Sequence, residues 1–300
     1  MKTPDYSTTR HLTPEKPACF DTSQAGLTTL QKIPDHDGKI AEGGLRLQGQ
    51  FKVSLNEKPL ITVVTVVYNG ADCLEGTIKS VIEQRYDNVE YIIVDGGSTD
   101  GTLDIVRKYE HAIDYWVSEP DKGIYDAMNK GIDLGSGQWI NFMNAGDYFF
   151  DIDILCKIFR NSAVVSGADV IYGDHEVRYP NKTKIVKAGR IEKLWKGSQF
   201  CHQSVLVNLN QHKKNKFNIC KKMAADFEFF YESSRNGSLM RHVACVISKI
   251  SSGGVSDVRR IDSILEWWIV VDKKTVVNLF YIFRIIGEML KGGVKKYLRK

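Results

Sequence analysis

Ile61-Thr-Val-Val-Thr-Val-Val-Tyr68 and, after one helical stretch, Tyr91-Ile-Ile-Val-Asp95 are the segments whose reading decides the fold. The first is β-branched and almost continuously apolar, which suits a strand buried on both faces of a parallel sheet. Asn69-Gly70 ends it, and the chain to about Gln84 reads as a helix, with Leu74, Ile78, Val81 and Ile82 at helical spacing. Tyr91–Asp95 reads as the second buried strand, closed by Gly96-Gly97-Ser98-Thr99-Asp100-Gly101-Thr102. Leu60–Thr102 is therefore one βαβ unit with a carboxylate at the carboxyl end of its second strand, where open α/β sheets bind ligands.

Working outward, Thr102–Tyr109 reads as a helix, Ile113–Val117 as a third strand and Ser118-Glu-Pro-Asp-Lys-Gly123 as a turn-rich loop. Ile124 to about Leu134 is a helix with Ile124, Met128 and Ile132 on one face. Trp139–Met143 is a further strand, with Asn144-Ala-Gly-Asp147 at its carboxyl end. A helix around Asp153–Asn161 follows, then strands at Val170–Tyr172 and Lys184–Lys187 with a hairpin arm at His175–Tyr179. The alternation up to Asp147 predicts an α/β fold, a Rossmann-like and mostly parallel sheet flanked by helices. Upstream, Leu45–Lys58 is expected to supply an edge strand. Residues 1–44, with four prolines and few large apolar side chains, read as a loosely ordered arm. Downstream, Ser263–Val271 and Val276–Leu298 read as amphipathic C-terminal helices; Leu279, Ile282, Phe283, Ile286 and Leu290 form one apolar stripe. The expected division is an arm over 1–44, a main domain over 45–256 and C-terminal helices over 257–300.

With 300 residues and 43% hydrophobic content the chain can bury a full core. The net charge of +5 is matched by Lys291, Lys295, Lys296, Arg299 and Lys300, which have no acid among them. The body is about neutral, so no nucleic-acid partner is expected. The six cysteines show no CxxC pairing, which argues against structural zinc and a disulfide framework and fits free thiols in a reducing cytosol. The first twenty residues lack the apolar run of a secretory signal, and no stretch is apolar for the roughly 18 residues of a spanning helix.

Two acidic sites fall at the same end of the expected sheet: Asp95 with Asp100, and Asp147. Asp and Asn end strands routinely as turn formers, so each alone is weak. Together they suit a divalent cation holding a diphosphate, because Mg²⁺ and Mn²⁺ prefer hard oxygen ligands shared with phosphates.

At this point several ordered motifs resemble those of a family 2 glycosyltransferase of the GT-A fold, as in bacterial lipopolysaccharide, capsule, colanic-acid and exopolysaccharide synthesis. They are Ile61–Gly70, Ser80–Gln84, Glu90–Thr102, Ser118–Ile132 and Asn141–Asp147, with weaker echoes at Cys201-His-Gln203, Ala225-Asp226 and Gly253–Ser256. The resemblance implies an inverting transfer of sugar from a nucleotide-diphospho-sugar to a lipid-linked or polysaccharide acceptor, dependent on Mg²⁺ or Mn²⁺. It implies that Tyr68, Asn69, Asp95, Asp100, Lys122 and Asp126 bind the donor, and that Asp147 ligates the metal. Many members carry a second Asp where this chain has Gly96, so Asp95 is expected at the base or at the ribose. The metal motif here keeps only its last acid, which implies a cation site reliant on the donor's phosphates.

Asp226 matches the family's catalytic base, which takes the proton of the acceptor hydroxyl, with Glu228 as the alternative. An N-cap for the Phe227–Tyr231 segment is the competing reading. Lys122 and Tyr125 precede a helix whose amino end suits phosphates, although a solvated loop lysine is as natural. His202-Gln203 resembles the family's pair near the acceptor pocket, or is a satisfied structural His. The basic amphipathic tail suits attachment to an anionic membrane surface, with the protein cytoplasmic and peripheral on the inner membrane; a core helix with a basic end is the alternative. Two other functions stay in view. An NAD-type oxidoreductase lacks its glycine fingerprint here, and a non-catalytic nucleotide-sugar-binding or scaffold protein would explain the thin metal motif.

Overall fold

The computed structural model describes residues 5–20, 27–55, 57–254 and 258–297, with Ser162 and 292–297 by their backbone alone. Val255 and Ser256 of the Gly253–Ser256 motif, Leu298–Lys300 and the side chains of Lys295 and Lys296 lie outside the described residues.

The first half runs β1 (Ala41–Gly43), β2 (Ile61–Val67), α1 (Ala71–Ile82), β3 (Val89–Asp95), α2 (Thr102–Lys108), β4 (Tyr115–Ser118), α3 (Ile124–Leu134) and β5 (Trp139–Phe142). Every residue of β2, β3, β4 and β5 is buried, as their apolar runs require of strands covered on both faces. β2 pairs in parallel with β3 and β5, and β3 with β4. Growth of the sheet reverses between β2 and β5, so a crevice opens at their carboxyl ends.

The second half runs β6 (Tyr148–Phe149), α4 (Ile154–Phe159), α5 (Ser162–Val165), β7 (Val170–Tyr179), β8 (Lys182–Val186), β9 (Val205–Asn208), α6 (Leu209–Lys214), α7 (Ala225–Arg235), β10 (Met240–Ser251), α8 (Arg260–Val270) and α9 (Thr275–Tyr297). One sheet results, ordered β1-β4-β3-β2-β5-β9-β7-β10-β6 with β8 on β7. β9 is antiparallel to β5 and β7, and β10 is parallel to β7.

The two-residue period of β2 divides the core. Val64 and Val66 join Met128, Ile132 and Phe227 on one face; Ile61, Val63 and Val67 join Leu74, Ile78 and Ile154 on the other. Gly131 allows α3 to lie against β2, since an added Cβ would stand 2.5 Å from Val64 Cγ1.

Some expectations differ from the structure. The edge strand expected at Leu45–Lys58 is instead Ala41–Gly43, antiparallel to β4. Gly44, at φ 107°, turns the chain out of the ladder into a 3₁₀ turn over Leu45–Gln48. β9 and β10 were not foreseen at all.

The described part of residues 5–44 is tied to the domain. Ser7 is buried and its hydroxyl donates to the Val81 carbonyl at 3.0 Å, Leu30 N donates to Asp133 O at 2.8 Å, and Ile33 joins the core. Next to this segment Arg46 is buried against Glu90 at 2.5 Å, where Thr62 Oγ1 and Ser136 N also donate to Glu90. Burial pushes the Glu90 carboxyl up, and Arg46 with these donors overcomes it, holding the group below its ordinary pKa.

At the other end α9 has two working faces. Val277 and Tyr281 turn inward, and Arg284 lies 5.0 Å from the Trp267 ring while donating to the Lys196 carbonyl. Phe283 and Leu290 on the outer face are 68% and 66% exposed, and Ile269 of α8 is 64% exposed. No described helix is long and apolar enough to cross a membrane.

Candidate active site

The crevice rim starts at the end of β2. Asn69 takes φ 50°, a left-handed turn that Asn tolerates, and Tyr68 is left 67% exposed. Asn69 N donates to Ser98 Oγ at 2.7 Å, and Ser98 Oγ donates in turn to Asp95 Oδ1. Asp95 is fully buried, and its Oδ2 accepts from Gly97 N, Ser98 N and Ser118 Oγ at 3.1, 2.9 and 2.6 Å. Asp100 accepts from Ala71 N at 3.0 Å, Thr102 N at 3.1 Å and Thr102 Oγ1 at 2.5 Å. The Thr102 hydroxyl and Ala71 amide lower its pKa. Both carboxylates thus hold the loops after β2 and β3 together.

Gly96 shows where a further acid comes from. A Cβ added there would stand 2.5 Å from Asp121 Oδ2 and 3.5 Å from Tyr68 Cδ2. Asp121, in the loop after β4, therefore brings a carboxylate over the position where Gly96 has no side chain. Sequence reading passed over Asp121, because its place depends on a neighbour 25 residues away having no Cβ. Lys122 is exposed, and its amide donates to Asp126 Oδ2 at 3.0 Å, which closes the first turn of α3. Asp126 also lies 3.8 Å from Lys130 Nζ.

Across the crevice, His202 and Gln203 share one 3₁₀ turn and reach in two directions. Gln203 Nε2 donates to Asp147 Oδ2 at 2.6 Å. Cys201 Sγ donates to Gln203 Oε1, which turns the amide nitrogen toward Asp147. His202 Nε2 meets Asn144 Nδ2 at 3.0 Å and its Nδ1 meets Asp226 Oδ2 at 3.1 Å. With the Asn144 amide donating to Nε2, the ring proton sits on Nδ1 and is given to Asp226. Tyr125 OH, from α3, donates to the other Asp226 oxygen at 3.0 Å.

The two acids are tuned in opposite directions. Burial raises the pKa of Asp147, with Gln203 and His202 opposing. Burial also pushes Asp226 up, but His202, Phe227 N and Tyr125 overcome it and hold that carboxyl below its ordinary value. Burial, followed by the Asp226 charge, keeps Tyr125 protonated well beyond the ordinary phenol range. Glu228 stands elsewhere, lining a groove of about 240 Å³ with Glu232 and Lys216. No group of three or more His, Cys, Asp or Glu suited to a metal ion occurs among the described residues. Asn144 Oδ1, however, is buried without a hydrogen-bond partner.

Solved structures bear out this Rossmann-like sheet as a GT-A fold. The mannosyltransferase PcManGT from Pyrobaculum calidifontis, in complex with GDP-Man and Mn²⁺, superposes with a TM-score of 0.56 at 17% identity, covering 73% of this chain and 67% of that one. The glycosyl transferase family 2 pattern matches residues 62–232, more than half of the chain, and the chain belongs to that family. A PGL/p-HBAD biosynthesis glycosyltransferase of Mycobacterium bovis is 28% identical over 207 residues, 66% of this chain and 80% of that one. A Bacillus subtilis protein named for teichuronic acid biosynthesis is 39% identical over 95 residues, 31% of this chain and 38% of that one.

Proposed function

We propose that this glycosyltransferase is an inverting, metal-dependent enzyme that moves sugar from a nucleotide-diphospho-sugar to a lipid-linked or polysaccharide acceptor. The observation that carries the reading is the His202–Gln203 turn, which joins Asp226 to Asp147 around one crevice. Asp226, held ionised, accepts the acceptor hydroxyl's proton as that oxygen bonds to the anomeric carbon and the bond to the diphosphate breaks on the opposite face. His202 and Tyr125 orient the carboxylate from two sides. Exposed Tyr68, with Asp121 beside Gly96, offers a ring and a carboxylate to the nucleoside.

Oxygen donors fit a hard divalent cation: Asp147 with its carboxylate and Asn144 with its unpartnered buried Oδ1 would hold Mg²⁺ or Mn²⁺. When bound, the cation neutralises charge on the leaving diphosphate. Mn²⁺-dependent hydrolysis of a panel of nucleotide sugars tests the reading, with Asp147→Ala expected to abolish it while the fold persists. Undiminished hydrolysis in that variant at ordinary metal concentrations would remove Asp147 from the site.

Membrane attachment, on the cytoplasmic face of the inner membrane, is supported by the exposed outer faces of α8 and α9 and by the basic residues of the decamer 291–300, which overlaps the end of α9. Because the inner face of α9 packs on Trp267, truncation would disturb the core; point changes on the outer face are the cleaner test. Phe283→Ser with Leu290→Ser should lose co-sedimentation with anionic liposomes while donor hydrolysis continues. Failure of the unaltered protein to bind such liposomes at low salt removes the attachment.

A further inference from the structure

Next to the Asn144–Asp147 loop lies a second cleft of about 320 Å³, lined in part by Lys79, Tyr148, Phe150, Arg178 and Lys249. Its strand-borne cations come from β7 and β10, on the far side of β5 from the loops that carry Asp95 and Asp121. Arg178 Cζ lies 4.3 Å from the centre of the Tyr148 ring, and Lys249 Nζ lies 4.8 Å from that of Phe150. Stacking holds each head group by the aromatic face and leaves N–H groups directed away from the ring.

The hydrogen bonding of Arg178 is incomplete. Its Nη2 donates to the Gly146 carbonyl and to Ser251 Oγ, both at 3.2 Å, but its Nε is buried with no acceptor. A guanidinium N–H left without an acceptor in a buried place is costly, and an incoming oxyanion would supply one. Neither Arg178 nor Lys249 forms a close ion pair among the described residues, although the Arg178 charge acts on Asp147 and that of Lys249 on Asp151. Of the acids in the cleft, Asp151 pairs with Lys157 at 2.6 Å, outside the lining, and Glu83 is exposed.

We propose that this cleft is an oxyanion subsite, taking a phosphate or carboxylate group carried by the acceptor. Arg178 supplies the forked donor and Lys249 the second positive charge. Since Arg178 also grips the carbonyl of Gly146, an anion bound there sits one residue from Asp147 and brings its sugar toward the transfer centre. The role of the anion as part of an acceptor rests on the transferase reading; its binding does not.

Calorimetric titration of inorganic phosphate, and separately of glucuronate, into the metal-free full chain tests the site. Saturable binding of at least one anion is expected, weakened about tenfold or more in Arg178→Gln and in Lys249→Gln. Lys249→Gln should hydrolyse nucleotide sugar as the unaltered protein does, and it reports on the cleft without breaking the Gly146 contact. Phosphate alone binding assigns a phosphate-bearing acceptor, and glucuronate alone a uronic acid. Absence of saturable binding by both anions overturns the site, as does equal binding by the unaltered protein and both variants. If variant-sensitive anion binding stands but nucleotide sugar is never hydrolysed, the transferase reading fails and the subsite remains.

Discussion

The two banks of the crevice use their acids differently. On the β2–β3 side, Asp95 and Asp100 accept seven hydrogen bonds between them, all from their own loop or from the ends of the strand and helices that adjoin it. On the β5–β9 side, Asp147 and Asp226 are joined through two adjacent residues of one 3₁₀ turn, and their pKa values move in opposite directions. One bank is a frame; the other holds the pair proposed above to carry the chemistry. Carboxylates pushed apart in this way can take different roles in the same reaction.

The largest effect expected from breaking this contrast is at Asp226. Asp226→Asn should retain donor affinity and lower transfer by about two to four orders of magnitude, measured as kcat with donor saturating. Loss of donor binding with turnover preserved would make Asp226 a structural acid. Gln203→Leu is the next step down. It removes the donor to Asp147 and leaves Cys201 without its acceptor, so metal affinity should fall about 10- to 100-fold, as for other groups that orient a ligand. Titration of Mn²⁺ against donor hydrolysis reads this directly, and an unchanged metal curve would uncouple the turn from the cation. The smallest change belongs to the frame. Asp95→Asn cannot accept from all of its present donors, so denaturant unfolding should show a loss of about 1–3 kcal/mol, with turnover of the folded protein little altered. Severe loss of turnover without loss of stability would move Asp95 into contact with the donor and erase the contrast.

The same division marks what could be read in advance. β2, β3 and α3 carry strong local signals: strands rich in β-branched residues and an apolar helical stripe bounded by Gly123 and Gly135. β10 carries a weak one. Its pairing with β7 shifts register between His242 and Val246 and again before Ser248, so the apolar alternation never settles into one phase. The crevice follows the same rule. Asp95, Asp100 and Asp147 could be assigned to strand ends because strand ends are local. That His202 bridges Asn144 and Asp226, 58 and 24 residues away, is a matter of tertiary packing. Arg178 was invisible as a candidate because its interest lies in an absent acceptor, which no spacing encodes.

The short outer strands have a consequence for handling the protein. The sheet's path ends in β1, three residues long, and β6, two residues long, while the side strand β8 carries Lys182 and Lys184. Terminal ladders this brief, and lysines on the exposed branch, offer little template for another chain to pair with. β6 covers only Ser248 and Lys249 of the twelve-residue β10, so this protection belongs to the two end strands and the β8 branch rather than to the whole perimeter of the sheet.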